Sequence, residues 1–262
     1  MDTPISALLN LLEDEDRHVS TMAMEQLLAL DSDVDHVIAE LQESDNPVLR
    51  GRIHQLGSIL RLRRSRQQFI DSVRGSNTTL WDGILEINYQ FNPRMNRRDI
   101  SELVNEFASR LPRRLTTHRL AAFMRKEKFC VTSEDLLGPD LYLAEDVLMQ
   151  RVGAPILLSA VAQHIGRSRH WDATLVLHKG RHCLLDENYN LVSPAENWRV
   201  TRLTNEDKLH PCGDRDVWFT ILAQLFLSAV QEGRLQAIWR VGSILAQLCD
   251  GEFHDLPFPL GS

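Results

Sequence analysis

Several common functional signatures are missing from this 262-residue sequence. Its four cysteines, at positions 130, 183, 212 and 249, form no Cys-x-x-Cys pair. In a chain of this length without an export signal, that spacing predicts reduced thiols rather than a disulfide framework. The phosphate-binding patterns GxGxxG and GxxxxGK[ST] do not occur, and neither does the pattern GxSxG of serine hydrolases. The sequence therefore excludes the common nucleotide-binding loops and the nucleophile elbow.

Long apolar runs are also missing. The longest candidates, Ala154–Val161 and Ile221–Val230, have the length of buried segments in a protein core. Spanning a bilayer takes about 20 apolar residues. The opening segment MDTPISALLNLLEDEDRH lacks the basic start and small-residue cleavage site of a secretory peptide. We therefore expect a soluble, cytoplasmic protein with no membrane partner.

The charge balance is moderately acidic. Hydrophobic residues at 43% and charged residues at 25% are ordinary globular values, and the net charge is −7. Such a balance gives no overall attraction to nucleic acid or to an anionic membrane. The one basic run, Arg61–Arg66 (RLRRSR), is interpreted as the solvated end of a helix, with nucleic-acid contact as the alternative. A nucleic-acid partner is therefore not expected.

Hydrophobic periodicity predicts a mostly helical α+β protein in three parts. Residues 1–73 show two helical hairpins, each with a Leu-rich helix end, an acidic turn and a second helix entered through Val, a layout that resembles HEAT repeats. Residues 79–205 form a middle domain, in which helical spacing gives way to period 2 between Trp171 and Ser193. There DATLVLH, Lys179-Gly180 and RHCLLDE predict a β-hairpin, followed by a short strand at Leu191–Ser193. Residues 214–250 predict a helical hairpin of tetratricopeptide-like size.

Histidine and cysteine positions do not indicate a metal site or a cofactor. His178 and His182 occupy the two arms of the predicted hairpin, next to Cys183, but no second ligand pair occurs at short spacing. A Cys-His nucleophilic pair needs the thiol within reach of the imidazole. Because neighbouring strand side chains point to opposite sides, His182 and Cys183 are not expected to meet.

The middle of the chain resembles the SirB-type branch of the transglutaminase-like superfamily. The resemblance is based on Glu127-Lys128-Phe129, on the phrase VLMQRVGAPILLS from Val147 to Ser159, and on LHKGRHCLL from Leu177 to Leu185. It implies a papain-like middle domain in which a helix N-terminus faces an antiparallel sheet. It also implies a cysteine at that helix start, a histidine on the first strand and an aspartate on the next strand.

Only one of these three catalytic positions is filled. His182 matches the histidine, but the helix start Ala154-Pro155-Ile156 has no cysteine, and Ser193 stands where the aspartate is expected. Without a thiolate the mechanism loses its nucleophile, which costs several orders of magnitude in rate. We therefore predict that His182 is not catalytically active.

The other notable residues of the segment Val147–Ser159 are predicted to have structural roles. Gly153 and Pro155 break and restart helices. Ser159 is expected to be buried, with its hydroxyl bonded back to a carbonyl. Arg151 is expected to pair with a carboxylate or to cap carbonyls, with a substrate-carboxylate clamp as the alternative.

These observations leave three functional hypotheses. The first is a catalytically silent transglutaminase-like domain that acts as a protein-interaction or regulatory module with an unidentified protein partner. The second is a hydrolase or acyl transferase in which His182 activates an unorthodox nucleophile, Cys183 or Ser159. The third is a helical-repeat adaptor whose middle domain is only a scaffold.

Overall fold

The chain divides into two compact units, residues 1–68 and residues 69–262. The computed structural model describes residues 3–75, 78–132, 138–204, 207–249 and 251. The predicted connection Arg74–Thr79 lies partly outside the described residues, and the tail from residue 252 onward lies wholly outside them. Among the described helices none is both long and apolar enough to cross a membrane.

The first unit is built from helices α1 to α4. They span Thr3–Leu12, Arg17–Ala29, Asp35–Leu41 and Pro47–Arg74, and the residues of α4 from Phe69 onward belong to the second unit. Asp16 caps α2 by accepting a hydrogen bond from the backbone N–H of His18. The predicted order of two helix pairs is observed, and their apolar residues form one buried cluster. The relationship to HEAT repeats stays a prediction.

The basic run Arg61–Arg66 lies inside α4, not at the end of a helix as predicted, because α4 continues to Arg74. Arg64 donates from Nε to Asp31 at 2.9 Å and from Nη1 to Asp35 at 2.9 Å. Part of the run therefore pairs with carboxylates of the same unit.

The helices of the second unit are α5 to α11. They span Leu80–Phe91, Arg97–Arg110, Thr117–Lys126, Ala144–Gln150, Pro155–Arg167, Asp214–Gln231 and Leu235–Leu248. Thr79, Asn96 and Thr116 cap α5, α6 and α7 by accepting backbone N–H bonds in the first turn. Residues of α5, α9, α10 and α11 contribute to one hydrophobic core. The three-part division drawn from the sequence stays a prediction.

A five-stranded antiparallel sheet completes the second unit, so the α+β prediction is confirmed. Strands β1 to β5 span Ala173–His178, Arg181–Asp186, Asn190–Ser193, Arg199–Arg202 and His210–Pro211, in the order β4-β3-β2-β1-β5. The predicted hairpin and third strand are present. Two short strands, β4 and β5, lie outside the region predicted to hold all the strands. Their residues are largely exposed, so the sequence there lacks the alternation of apolar and polar residues that predicts a strand.

Register assigns each strand residue to one of two faces of the sheet. Leu175, Leu184 and Val192 are partners across β1, β2 and β3, and they belong to the same core as α9. We call this side the inner face. Val176 pairs with Cys183, and both belong to a separate small cluster with Leu191 on the outer face.

Candidate functional site

The N-terminus of α9 is the position at which the family resemblance implies a nucleophile. Ala154 is the N-cap residue in extended conformation, Pro155 is the first helical residue, and the backbone N–H of Leu158 donates to the Ala154 carbonyl. No side chain in the described part of the chain caps this helix start. The site therefore offers backbone N–H groups but no thiol or hydroxyl at Ala154, Pro155 or Ile156.

Arg151 and Gly153 determine how the chain enters α9. Arg151 ends α8 in the left-handed region, with φ of 64°. A Cβ on Gly153 would lie 2.8 Å from Val147 Cγ2 and 3.3 Å from Leu158 Cγ. Glycine is therefore required by the close approach of α8 and α9.

The expected pairing of Arg151 is wrong. Within the described residues it forms no ion pair and caps no carbonyl, and its Nε is buried without a hydrogen-bond partner. The guanidinium instead lies over the Phe107 ring, 5.9 Å from its centroid. The substrate-carboxylate clamp stays a prediction.

Ser159 lies within α9 and is fully buried, as expected. Its hydroxyl has no hydrogen-bond partner in the described part of the chain, so the expected bond to a carbonyl is not formed. A buried serine without an imidazole bonded to its oxygen has no group to remove its proton.

His182 is half-buried on the inner face, opposite Leu177 of β1. Burial lowers the pKa of its imidazole, and no charge among the described residues acts against that effect. A catalytic imidazole is normally oriented by an acid that stabilises its protonated form. Extending the β2–β3 register by two residues places Pro194 beside His182, where it supplies no carboxylate.

Cys183 and Ser193 lie on the opposite side of the sheet from His182. Cys183 is 1% exposed, and burial raises the pKa of its thiol more than the nearby Ser193 hydroxyl lowers it. The β2–β3 register, extended by one residue, places Ser193 opposite Cys183. The inferred aspartate position of Ser193 is thus corrected, because its side chain points to the outer face and cannot support His182.

A buried carboxylate that sequence reasoning missed is Asp186, on the inner face at the end of β2. It accepts hydrogen bonds from the backbone N–H groups of Asn188 and Asn190 at 2.8 Å and from the Asn190 side chain at 2.8 Å. Thr117 also donates to it, and Trp171 Nε1 donates to Thr117 at 3.1 Å. The sequence signal was the Asp-Glu-Asn-Tyr-Asn turn, in which aspartate commonly accepts local backbone bonds.

Asp186 is nevertheless not an acid for His182. The two residues are four apart on one strand, which is about 13 Å at the usual rise per residue. The carboxylate fixes the β2–β3 turn and joins it to α7. Within the described residues no group of three or more His, Cys, Asp and Glu side chains is arranged to hold a metal ion.

Asp186 gives a pH-dependent stability prediction. Burial raises its pKa, but the hydrogen bonds from Thr117, Asn190 and Asn188 outweigh burial and leave the pKa below its ordinary value. A depressed pKa contributes stability above the unfolded value of about 3.9 and loses it as pH falls through the folded value. We expect Asp186→Asn to lower the melting temperature at neutral pH and to flatten its decline between about pH 5 and pH 2.

The measurement is thermal denaturation from neutral to acidic pH, with Glu187→Gln as the control. Glu187 is the next residue along the chain and is exposed. An acid-side slope in Asp186→Asn as steep as that of the parent would show that Asp186 does not contribute to acid sensitivity.

Comparison with known proteins gives a match for one part of the chain. Residues 95–190 match a family model described as the transglutaminase-like superfamily. The match runs from just before α6 to the first residue of β3, and includes Arg151, Ser159, His182 and Cys183 but not Ser193. No curated protein and no solved structure matches the chain.

Proposed function

We propose that the transglutaminase-like domain at residues 95–190 is catalytically silent and that the protein acts as a protein-interaction or regulatory module. The SirB-type assignment, the HEAT-like and tetratricopeptide-like flanking hairpins and the cytoplasmic location belong to the same proposal. They rest on sequence resemblance and composition.

The surroundings of His182 are the observation on which the proposal rests. In the described part of the chain the imidazole makes no hydrogen bond to a cysteine or serine side chain, and no carboxylate affects its pKa. Acyl transfer of this kind needs a thiol or hydroxyl within about 3–4 Å of the base and an acid behind the base. Cys183, the adjacent thiol, lies on the other face of the sheet.

Exposed large side chains support the interaction role. Leu235 is 78% exposed and Trp239 is 57% exposed, one turn apart on α11. Such pairs lie on one side of a helix, and tryptophan is enriched at protein interfaces. An exposed patch of this kind fits a protein that binds another macromolecule.

A second candidate is the hydrolase or acyl transferase in which His182 activates Cys183 or Ser159. Its support is the position of His182 in the matched segment and its lowered pKa, which keeps the imidazole neutral and able to accept a proton near pH 7. The burial of both nucleophile candidates argues against it.

Turnover assays separate the two candidates. We expect the purified full chain neither to release ammonia from glutamine peptides nor to hydrolyse peptide thioesters, because no nucleophile is available to the imidazole. His182→Ala and Cys183→Ala should behave like the parent in both assays. His118→Ala, which changes an exposed histidine of the same matched segment, is the matched control.

Two outcomes would contradict the proposal. Turnover that disappears in His182→Ala and Cys183→Ala, while their melting temperatures equal those of the parent and of His118→Ala, would identify a working Cys-His enzyme. Turnover that disappears in His182→Ala but persists in Cys183→Ala would show an enzyme whose nucleophile is not Cys183, and loss of that turnover in Ser159→Ala would then identify Ser159.

A further inference from the structure

A cavity of about 400 Å³ opens on the outer face of the sheet, on the side opposite His182. It lies over the ends of β1, β2, β3 and β4, and it is separate from the helix N-terminus where the family resemblance implies catalysis. Six of its lining residues determine its charge and its hydrogen-bonding capacity: Lys179, Arg181, Cys183, Ser193, Glu196 and Arg199.

The rim of this outer-face cavity is basic. Lys179 belongs to the β1–β2 turn, Arg181 begins β2 and Arg199 begins β4. Glu196 accepts a hydrogen bond from Arg181 Nη1 at 3.0 Å. Asp207, beside His178, also lies close enough to Lys179 for the two charges to interact, so three cations and two carboxylates leave one positive charge at the rim, in a chain whose net charge is −7.

The floor of the cavity contains a buried hydroxyl whose hydrogen-bonding capacity is largely unused. Ser193 is 6% exposed, and its buried Oγ has no nitrogen or oxygen partner in the described residues; its neighbour is the Cys183 thiol, a weak hydrogen-bonding group. His178 also lines the cavity, but its Nε2 lies 3.8 Å from Asp207 Oδ1 and so has a carboxylate as neighbour. Because buried polar groups in folded proteins are nearly always well bonded, the Ser193 hydroxyl points to a ligand that would complete it.

The remaining floor group, Cys183, does not oppose an anion. Burial raises the pKa of its thiol, so the group is uncharged near neutral pH. A thiolate next to Ser193 would repel a negatively charged ligand, whereas the neutral thiol adds only a small apolar surface.

From this geometry we propose that the outer-face cavity binds a small molecule through a phosphate group. Guanidinium groups form paired, charge-assisted hydrogen bonds to phosphate oxygens, and Arg181 and Arg199 can supply them. A phosphate monoester carries about −1.5 to −2 charge at pH 7, which the three basic side chains of the rim attract. Ser193 donates to a phosphate oxygen at the floor. A polycarboxylate shares the oxyanion chemistry but not the tetrahedral shape.

The test is titration of the full chain with inorganic phosphate and with glycerol 2-phosphate, followed by calorimetry and by NMR shifts of backbone amides. Citrate is the carboxylate arm, and sodium chloride at matched ionic strength is the blank. We expect saturable binding of both phosphates, with the largest shifts at Lys179, Gly180 and Ser193. Citrate should bind more weakly than glycerol 2-phosphate.

Variants then assign the contacts. Arg199→Ala should weaken phosphate binding by about tenfold or more, because it removes a charge-assisted hydrogen bond. Glu196→Gln should tighten binding, since it removes a negative charge and releases Arg181. Ser193→Ala should weaken binding without changing net charge. Arg98→Ala is the matched control, because Arg98 is an exposed arginine of α6 that does not line the cavity.

Three results would overturn the proposal. The first is no saturable binding of either phosphate at millimolar concentration in the parent. The second is equal weakening by Arg98→Ala and Arg199→Ala, which would mean non-specific attraction. The third is citrate binding more tightly than glycerol 2-phosphate, which would replace phosphate by carboxylate as the recognised group. Unchanged tryptophan fluorescence in each variant shows that an affinity change does not come from unfolding.

Discussion

Leu158→Asp is expected to abolish cooperative folding of the second unit. Leu158 is fully buried in α9, and Ile156, Leu157, Ala160, Val161 and Ile165 are buried around the same helix. The predicted burial of this helix on most sides is therefore confirmed. An aspartate at position 158 would be an unpaired charge in an apolar core.

The expected penalty is more than about 4 kcal/mol, which is a large part of the 5–15 kcal/mol that stabilises a typical domain. Tryptophan fluorescence is a selective reporter, because all five tryptophans, at positions 81, 171, 198, 218 and 239, belong to residues 69–262. Leu158→Asp should show the solvent-exposed emission of unfolded protein before heating begins.

Leu158→Met is the matched control for this change. It keeps the volume and apolar character of the side chain, so we expect a loss below about 1.5 kcal/mol. A Leu158→Asp protein that melted within a degree or two of Leu158→Met would show that α9 is not the central core helix of the second unit.

Trp198→Ala is expected to give the second-largest loss of stability, about 3–5 kcal/mol. Trp198 is fully buried and is the largest such side chain in the described residues. Its Nε1 donates to the Phe129 carbonyl at 2.6 Å, and Arg125 donates to the Trp198 carbonyl at 3.1 Å. Alanine would leave both a large cavity and a buried carbonyl without its donor.

Trp198→Phe separates the two contributions. It keeps most of the apolar volume but removes the hydrogen bond to Phe129, so we expect an intermediate loss in urea denaturation. A loss in Trp198→Ala no larger than in Trp198→Phe would show that the hydrogen bond, and not packing, gives Trp198 its effect.

The sequence was sufficient to predict those helices and strands whose apolar residues recur with a clear period. The Lys179-Gly180 turn located the β1–β2 hairpin. The same alternation placed His182 and Cys183 on opposite faces. These successes share one physical cause, since repeated burial on one side leaves a repeat in the sequence.

The sequence was not sufficient to predict features that depend on contacts between residues far apart in the chain. The exposed strand Arg199–Arg202 pairs with β3 without an apolar repeat, and the stacking of Arg151 on Phe107 joins positions 44 residues apart. The hydrogen bond from Thr117 to Asp186 joins positions 69 residues apart. The side on which Ser193 points depends on the β2–β3 register, which depends in turn on the buried hydrogen bonds of Asp186.

The two-residue turn between β1 and β2 restricts how the length of this hairpin can change. Lys179 and Gly180 both have positive φ, 50° and 76°, as the tight turn that joins two right-twisted strands requires. Side chains alternate with a period of two, so inserting one residue here would exchange the sides of His182 and Cys183 unless a bulge absorbed it. Cys183 and Arg181 would then enter the α9 core, while His182 would move to the outer-face cavity. Insertions of two residues would leave these sides unchanged, so length variation tolerated at this turn should come in even numbers.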